Sequence, residues 1–181
     1  ACGMRASKGA IQKVEIDKAT GKVNYATIAN APARGICGSG YIHLLAELLR
    51  TGLMDKSGKL RSSPRIRENS EGKEFVVAYK EETAEGTEDV VITEVDIENI
   101  KRAKGAIYAA TASLIRHVGS NIKDIKKIFI AGGFGTFLDI ESAICIGLLP
   151  DVERSRFIFI GNSSLAGAQL ILLSSQAKEK A

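Results

Sequence analysis

KIFIAGGFGTFLD, residues 127–139, is the stretch whose reading decides the fold. Four consecutive apolar residues, Ile128, Phe129, Ile130 and Ala131, have the length and content of a buried strand. The run breaks at Gly132, Gly133, Phe134 and Gly135. A helical segment then starts near Asp139, whose carboxylate is placed to cap it. Glycines between a strand and a helix admit positive φ and let a ligand approach the backbone. The helix start also offers unpaired N–H groups to an anion. The same residues equally describe a tight turn with no ligand, because a lone glycine cluster is a weak signal.

On the C-terminal side, residues 139–147 read as a short helix and residues 148–151 as a break. Residues 157–160 form a second buried strand. Residues 161–164 cap a last helix over 165–174, with Leu165, Ala168 and Leu172 as its apolar stripe, and residues 176–181 are a polar, frayed end. On the N-terminal side, Thr93 caps the longest helix, and Glu94 and Asp96 favour its positive end. Val95, Ile100, Ala103, Ile107, Ala110, Leu114, Ile115 and Val118 supply its expected core face, and Gly119 ends it.

Further back, residues 56–73 read as a polar surface loop. Residues 74–79 and 90–93 read as two short strands around the acidic turn 80–89, so residues 56–93 look like a loop and hairpin inserted into the domain. Gly35, Gly38, Ser39 and Gly40 make a second glycine turn. It opens a helix in which Ile42, Leu45, Leu48, Leu49 and Leu53 fall at helical spacing, with Gly52 as its stop. Residues 9–17 and 23–29 alternate and pair as a hairpin. The fold class is therefore α/β, ending in a βαβα run with a partly parallel sheet and helices packed on it. Right-handed crossovers place the glycine turns at the carboxyl ends of strands, where ligands bind in such sheets.

The 181 residues are enough for one domain with a sizeable core. A formal net charge of +4, with no basic run, argues against nucleic acid as a partner. No stretch is apolar for long enough to span a membrane, so no membrane partner is expected. Cys2, Cys37 and Cys145 are too dispersed for a metal site and fit buried thiols in a reducing cytoplasm. The chain starts inside a motif, which implies a piece of a longer protein.

Three glycine turns before helices suggest a nucleotide clamp. None is a Walker A loop, and none is a dinucleotide fingerprint. No nucleophile elbow is present, and His43 and His117 sit beside no promising Ser or Cys, so no catalytic residue is assigned. Lys101 and Lys104, with Tyr108 one turn further, either face a nucleotide's base and ribose or are solvated lysines.

Several segments taken together carry a resemblance: GMRA with GAI near the start, RGICGSG with its AELL helix, AKGAIY, AGGFG, IGLLP and GNSSLAGA. In this order, over nearly the whole chain, they resemble the C-terminal region of the reductive activators of corrinoid proteins. Those activators belong to the ASKHA superfamily of actin, heat-shock chaperones and sugar kinases. The resemblance implies a ribonuclease H-like subdomain of an actin-like ATPase core. It implies ATP or ADP with Mg²⁺ as cofactor, an iron–sulfur cluster elsewhere in the parent protein, and a corrinoid or corrinoid/iron–sulfur protein as partner. It permits a homodimer. The implied reaction is the ATP-driven reduction of an inactive cob(II)amide to cob(I)amide.

By the same resemblance Gly132, Gly133, Phe134 and Gly135 hold the adenosine. Gly35, Gly38, Ser39 and Gly40 lie near ribose and phosphates, and Lys101 and Lys104 flank the base. The superfamily's two Asp-x-Gly phosphate hairpins and the iron–sulfur module are not in this sequence. The segment is therefore expected to be inactive alone. A small-molecule kinase of the same superfamily and a non-enzymatic interaction module remain the alternatives.

Overall fold

Residue alternation builds the first sheet. In β1 (Ala10–Ile16), Ile11, Val14 and Ile16 are buried while Lys13 and Glu15 face water. The computed structural model, which describes residues 2–70, 72–132 and 137–179, pairs β1 antiparallel with β2 (Val23–Thr27). On its other side β1 pairs parallel with the two-residue β3 (Gly35–Ile36). Helix α1 (Gly38–Thr51) follows and lies on this sheet through Leu44, Leu45 and Leu48. It ends as its sequence demands, with Gly52 left-handed at φ 78.

The second sheet, β4 (Ile66–Asn69), β5 (Gly72–Ala78) and β6 (Val90–Thr93), is antiparallel in the order β4-β5-β6. The expected hairpin is thus three-stranded, and residues 66–69 are a strand where a loop was predicted. Phe75, Val77, Val90 and Ile92 share one buried cluster with Ile11, Val14 and Leu48, so this segment and the first sheet close a single core.

Helix α2 (Glu94–His117) leaves that core under a reciprocal cap. The Thr93 hydroxyl accepts the Asp96 N–H at 3.1 Å, and the Asp96 carboxylate accepts the Thr93 N–H at 3.1 Å. Its predicted core face is corrected by the structure. Ile97 is the residue it buries fully, Ile100 packs at the margin of the core, and Val95, Ile107, Leu114 and Val118 are at least half exposed. The reason is geometric: only the first turns lie against the core, and the remainder runs past its edge.

Next come β7 (Ile128–Ala131), α3 (Ile140–Cys145), β8 (Phe157–Gly161), α4 (Ser163–Leu173) and α5 (Ser175–Glu179). β7 and β8 pair in parallel, as the βαβα reading requires. Asp139 caps α3 through the Ser142 N–H at 2.7 Å, and Asn162 caps α4 through the Leu165 N–H at 3.1 Å. Of the polar end predicted to fray, residues 176–179 belong to the helix α5, and residues 180–181 lie outside the described residues. The stripe of α4 is not a core stripe either, since Leu165 and Leu172 are exposed. A small cluster of Ile42, Leu138 and Ala143, with Ile130 and Ile146 against it, joins α1 to β7 and α3.

The parallel and antiparallel pairings thus lie in three separate sheets among the described residues. Cys37 is a buried thiol as predicted and Cys2 a half-buried one. Cys145 is exposed, contrary to expectation, because α3 packs through its other side. No helix among the described residues is long and apolar enough to cross a membrane.

Candidate functional site

The predicted site residues fall into groups that the fold separates. Gly35 and Gly40 have packing reasons for their identity. A Cβ on Gly35 would sit 2.5 Å from the Cys2 carbonyl oxygen, and one on Gly40 would collide with the Ile11 carbonyl. Ser39 is buried, its hydroxyl 3.3 Å from the Cys37 thiol, whose sulfur also reaches the Ile11 carbonyl. Gly38 is exposed at the start of α1. There Cys37 supplies no side-chain cap. Gly132 follows β7 at φ 91, and among the described residues nothing lies within 4 Å of where a Cβ would stand. Gly133, Phe134 and Gly135 lie outside the described residues.

Lys101 and Lys104 lie together on the wall of a groove of about 420 Å³, within the usual size of a small-molecule pocket. Its floor is apolar, built from Leu45, Leu49, Met54, Ile97, Ile100 and Ile146. One wall is α2, with Gly105 and the exposed ring of Tyr108. A second is the turn over residues 54–60, and a third is the backbone at Gly147. Residues 35–40 do not line it. Leu45, the nearest lining residue of α1, is about 10 Å along the helix from Gly38 at 1.5 Å per residue.

The two lysines differ in their commitments. The Lys101 ammonium donates to the Ser57 carbonyl at 2.6 Å and to Glu98 at 2.7 Å, and that ammonium in turn holds the Glu98 carboxyl below its ordinary range. Lys104 is half-buried and makes no hydrogen bond or ion pair among the described residues. Its ammonium lies 3.1 Å from where a Cβ on Gly147 would be, so the glycine, at φ +69, leaves it room. Desolvating a cation without a partner is costly, which makes this position chemically informative.

The turn is stiff in itself. Asp55 accepts the Ser57 hydroxyl at 2.6 Å, the Ser57 N–H at 2.8 Å and the Lys59 N–H at 3.0 Å. The Ser57 hydroxyl, then the Lys59 amide, hold the Asp55 carboxyl below its ordinary range. Sequence reasoning missed this turn, Leu49, Met54, Ile146 and Gly147 as parts of a site. The Asp-x-Ser-Gly spacing of residues 55–58 was the one available signal, since it is turn chemistry directly after a helix stop.

Chemically the groove offers an apolar slot, one unpaired half-buried cation, an aromatic edge and close backbone. This suits a planar ring carrying acceptor groups or a nearby anion. Among the described residues no group of three His, Cys, Asp or Glu could hold a metal ion.

A family model described as the C-terminal domain of RACo, the ASKHA domain, matches residues 1–181. The chain belongs to this family. It is 36% identical over 185 residues to the corrinoid activation enzyme RamQ of Eubacterium limosum, across 96% of this chain and 30% of that protein. It is 32% identical over 141 residues to a Co(II) methylated amine-specific corrinoid protein reductase of Methanosarcina barkeri, across 78% of this chain and 22% of that one. A solved structure, described as a reductive activator for corrinoid,iron-sulfur protein, superposes with a TM-score of 0.93 at 47% identity, over 99% of this chain and 29% of its own. The expected family and the ASKHA-type α/β fold are therefore found. The chain spans less than a third of the length of these relatives.

Proposed function

We propose that this chain is the nucleotide-binding half of an ATP-dependent reductive activator. In this reading the whole protein passes one electron to the cob(II)amide of a corrinoid methyl-transfer protein, giving cob(I)amide. The observation that carries the nucleotide part is Lys104: a half-buried residue whose ammonium has no partner among the described residues, in a groove of about 420 Å³ with an apolar floor. The relatives' names carry the corrinoid part. ATP or ADP fits this residue set. The base lies on the apolar floor beside Tyr108, and Lys104 faces an acceptor atom.

Mg²⁺ does not find its ligands among the described residues, and the three dispersed cysteines make no cluster site. In this reading both belong to polypeptide beyond this segment, and no step is routed through them here. When bound, nucleotide would drive reduction by differing in affinity between two states of the activator–corrinoid complex. A homodimer and a cytoplasmic location are part of the same proposal.

Calorimetric titration of the full-length activator with ADP and ATP tests it. Wild type binds, and Lys104→Ala weakens binding by about tenfold or more, the loss expected for a hydrogen bond to a charged group. Absence of binding by wild type at millimolar nucleotide overturns the reading in favour of an interaction module.

A further inference from the structure

Helix α2 presents one face through residues 94, 97, 98, 101, 104, 105 and 108, at the spacing that stacks side chains along a helix. Its first turns grip the 54–60 turn. Glu94 accepts the Leu60 N–H at 3.0 Å and the Lys59 ammonium at 3.3 Å. Gly58, at φ +89, is pressed so closely on α2 that a Cβ there would lie 2.8 Å from Lys101 Cδ and 3.1 Å from Ile97 Cγ2. Lys101 completes the grip at the Ser57 carbonyl. The following turns, with Lys104, Gly105 and Tyr108, line the opening.

We propose that Lys101 is a positioning residue. It docks the 54–60 turn on α2 and thereby sets the width of the groove in which Lys104 meets its ligand. This rests on the nucleotide reading above and assigns the two lysines opposite tasks. An ammonium has three hydrogens, and two of those on Lys101 are committed at short distance. Its stem lies close against Gly58, and turning the ammonium towards a ligand would give up the Ser57 bond that holds the turn.

Of its two bonds the one to Ser57 matters, because it joins α2 to the turn, whereas the pair with Glu98 lies within the helix itself. The turn's internal bonds to Asp55 make it move as a unit. Without Lys101 it stays hinged at Glu94, and its tip at residues 57–58 loosens beside the groove. Met54 and Asp55, which line the groove, belong to the same unit.

The test uses the full-length activator with Lys101→Met and Lys101→Arg. Two quantities are measured: ADP affinity by calorimetry, and hydrogen exchange of a peptide covering residues 54–61, where the Leu60 amide reports docking on Glu94. Lys101→Met weakens ADP by about fivefold, the factor expected for one hydrogen bond, and speeds exchange of that peptide. Lys101→Arg, which can still reach the Ser57 carbonyl, restores most of both. Weaker ADP with unchanged exchange makes Lys101 a direct ligand and overturns the proposal. So does faster exchange at unchanged affinity, or no change in either. Failure of wild type to bind ADP is a separate result. It removes the nucleotide reading, and this inference with it, before any variant is compared.

Discussion

Two regions of this chain use the same amino acids to different ends. In the first, β1 to β6 with α1 and the start of α2, the large apolar side chains meet one another. Ile11, Leu44, Phe75 and Val77 have no solvent exposure at all. In the second, the remainder of α2 with β7, β8 and α4, they face outward, with Leu172 84% and Leu173 88% exposed. Helix α4 is apolar on every side, a pattern that belongs to a helix surrounded by protein. The difference teaches that apolar patterning marks which surfaces seek burial and says nothing of what covers them. The groove lies on the boundary, and Ile146 belongs to the clusters of both regions.

The largest contrast is a pair of truncations. Phe75→Ala should cost about 3–5 kcal/mol and Leu172→Ala within about 0.5 kcal/mol, read from urea denaturation midpoints. Equal losses would break the comparison. Glycines give the next contrast. Gly40→Ala forces a methyl against the Ile11 carbonyl and should cost about 1–3 kcal/mol. Gly105→Ala, with open space around it in mid-helix, should gain up to about 1 kcal/mol.

Caps sharpen the boundary further. Thr93→Ala should lower global stability by about 1 kcal/mol, because α2 starts in the closed core. Asn162→Ala, the same chemistry at α4, should leave the main transition nearly unmoved and instead speed amide exchange in residues 163–166.

The smallest effect is a pH dependence. Burial pushes the half-buried His43 below its ordinary value of 6.5, against the opposing pull of Asp139. The unfolded chain therefore binds that proton first. The stability is present above about pH 6.5 and is lost as pH falls through it and towards the depressed folded value. Tm should fall more between about pH 7.5 and 5.5 in wild type than in His43→Gln, and identical slopes would show His43 uninvolved.

What could be read in the sequence was local. The Thr93 cap, the Gly52 stop, the Asp139 cap, the start of the last helix at residues 161–164 and the first hairpin all follow from short-range chemistry. Strand Ile66–Asn69 was not legible: as an edge strand of mostly polar residues it carries no alternation to read. The outward faces of α2 and α4 could not be read because periodicity is blind to the partner. The groove was hidden for a third reason. Leu49 reads as ordinary core, and Ile146 meets Leu49 and Met54 at the groove from far along the chain. Lys101 and Lys104 are the same residue type one turn apart, and it is the bonds of Lys101 to Ser57 and Glu98 that distinguish them.

The length of α2 has a mechanical consequence. Its 24 residues make a rod of about 36 Å, clamped in the core at Thr93 and exposed at the far end among the described residues. A pivot of about 10° at the clamp sweeps His117 through roughly 6 Å at that rise per residue. Halfway along, Lys104 moves by less than half as much. A shift of the groove wall is therefore more than doubled at the tip of the lever.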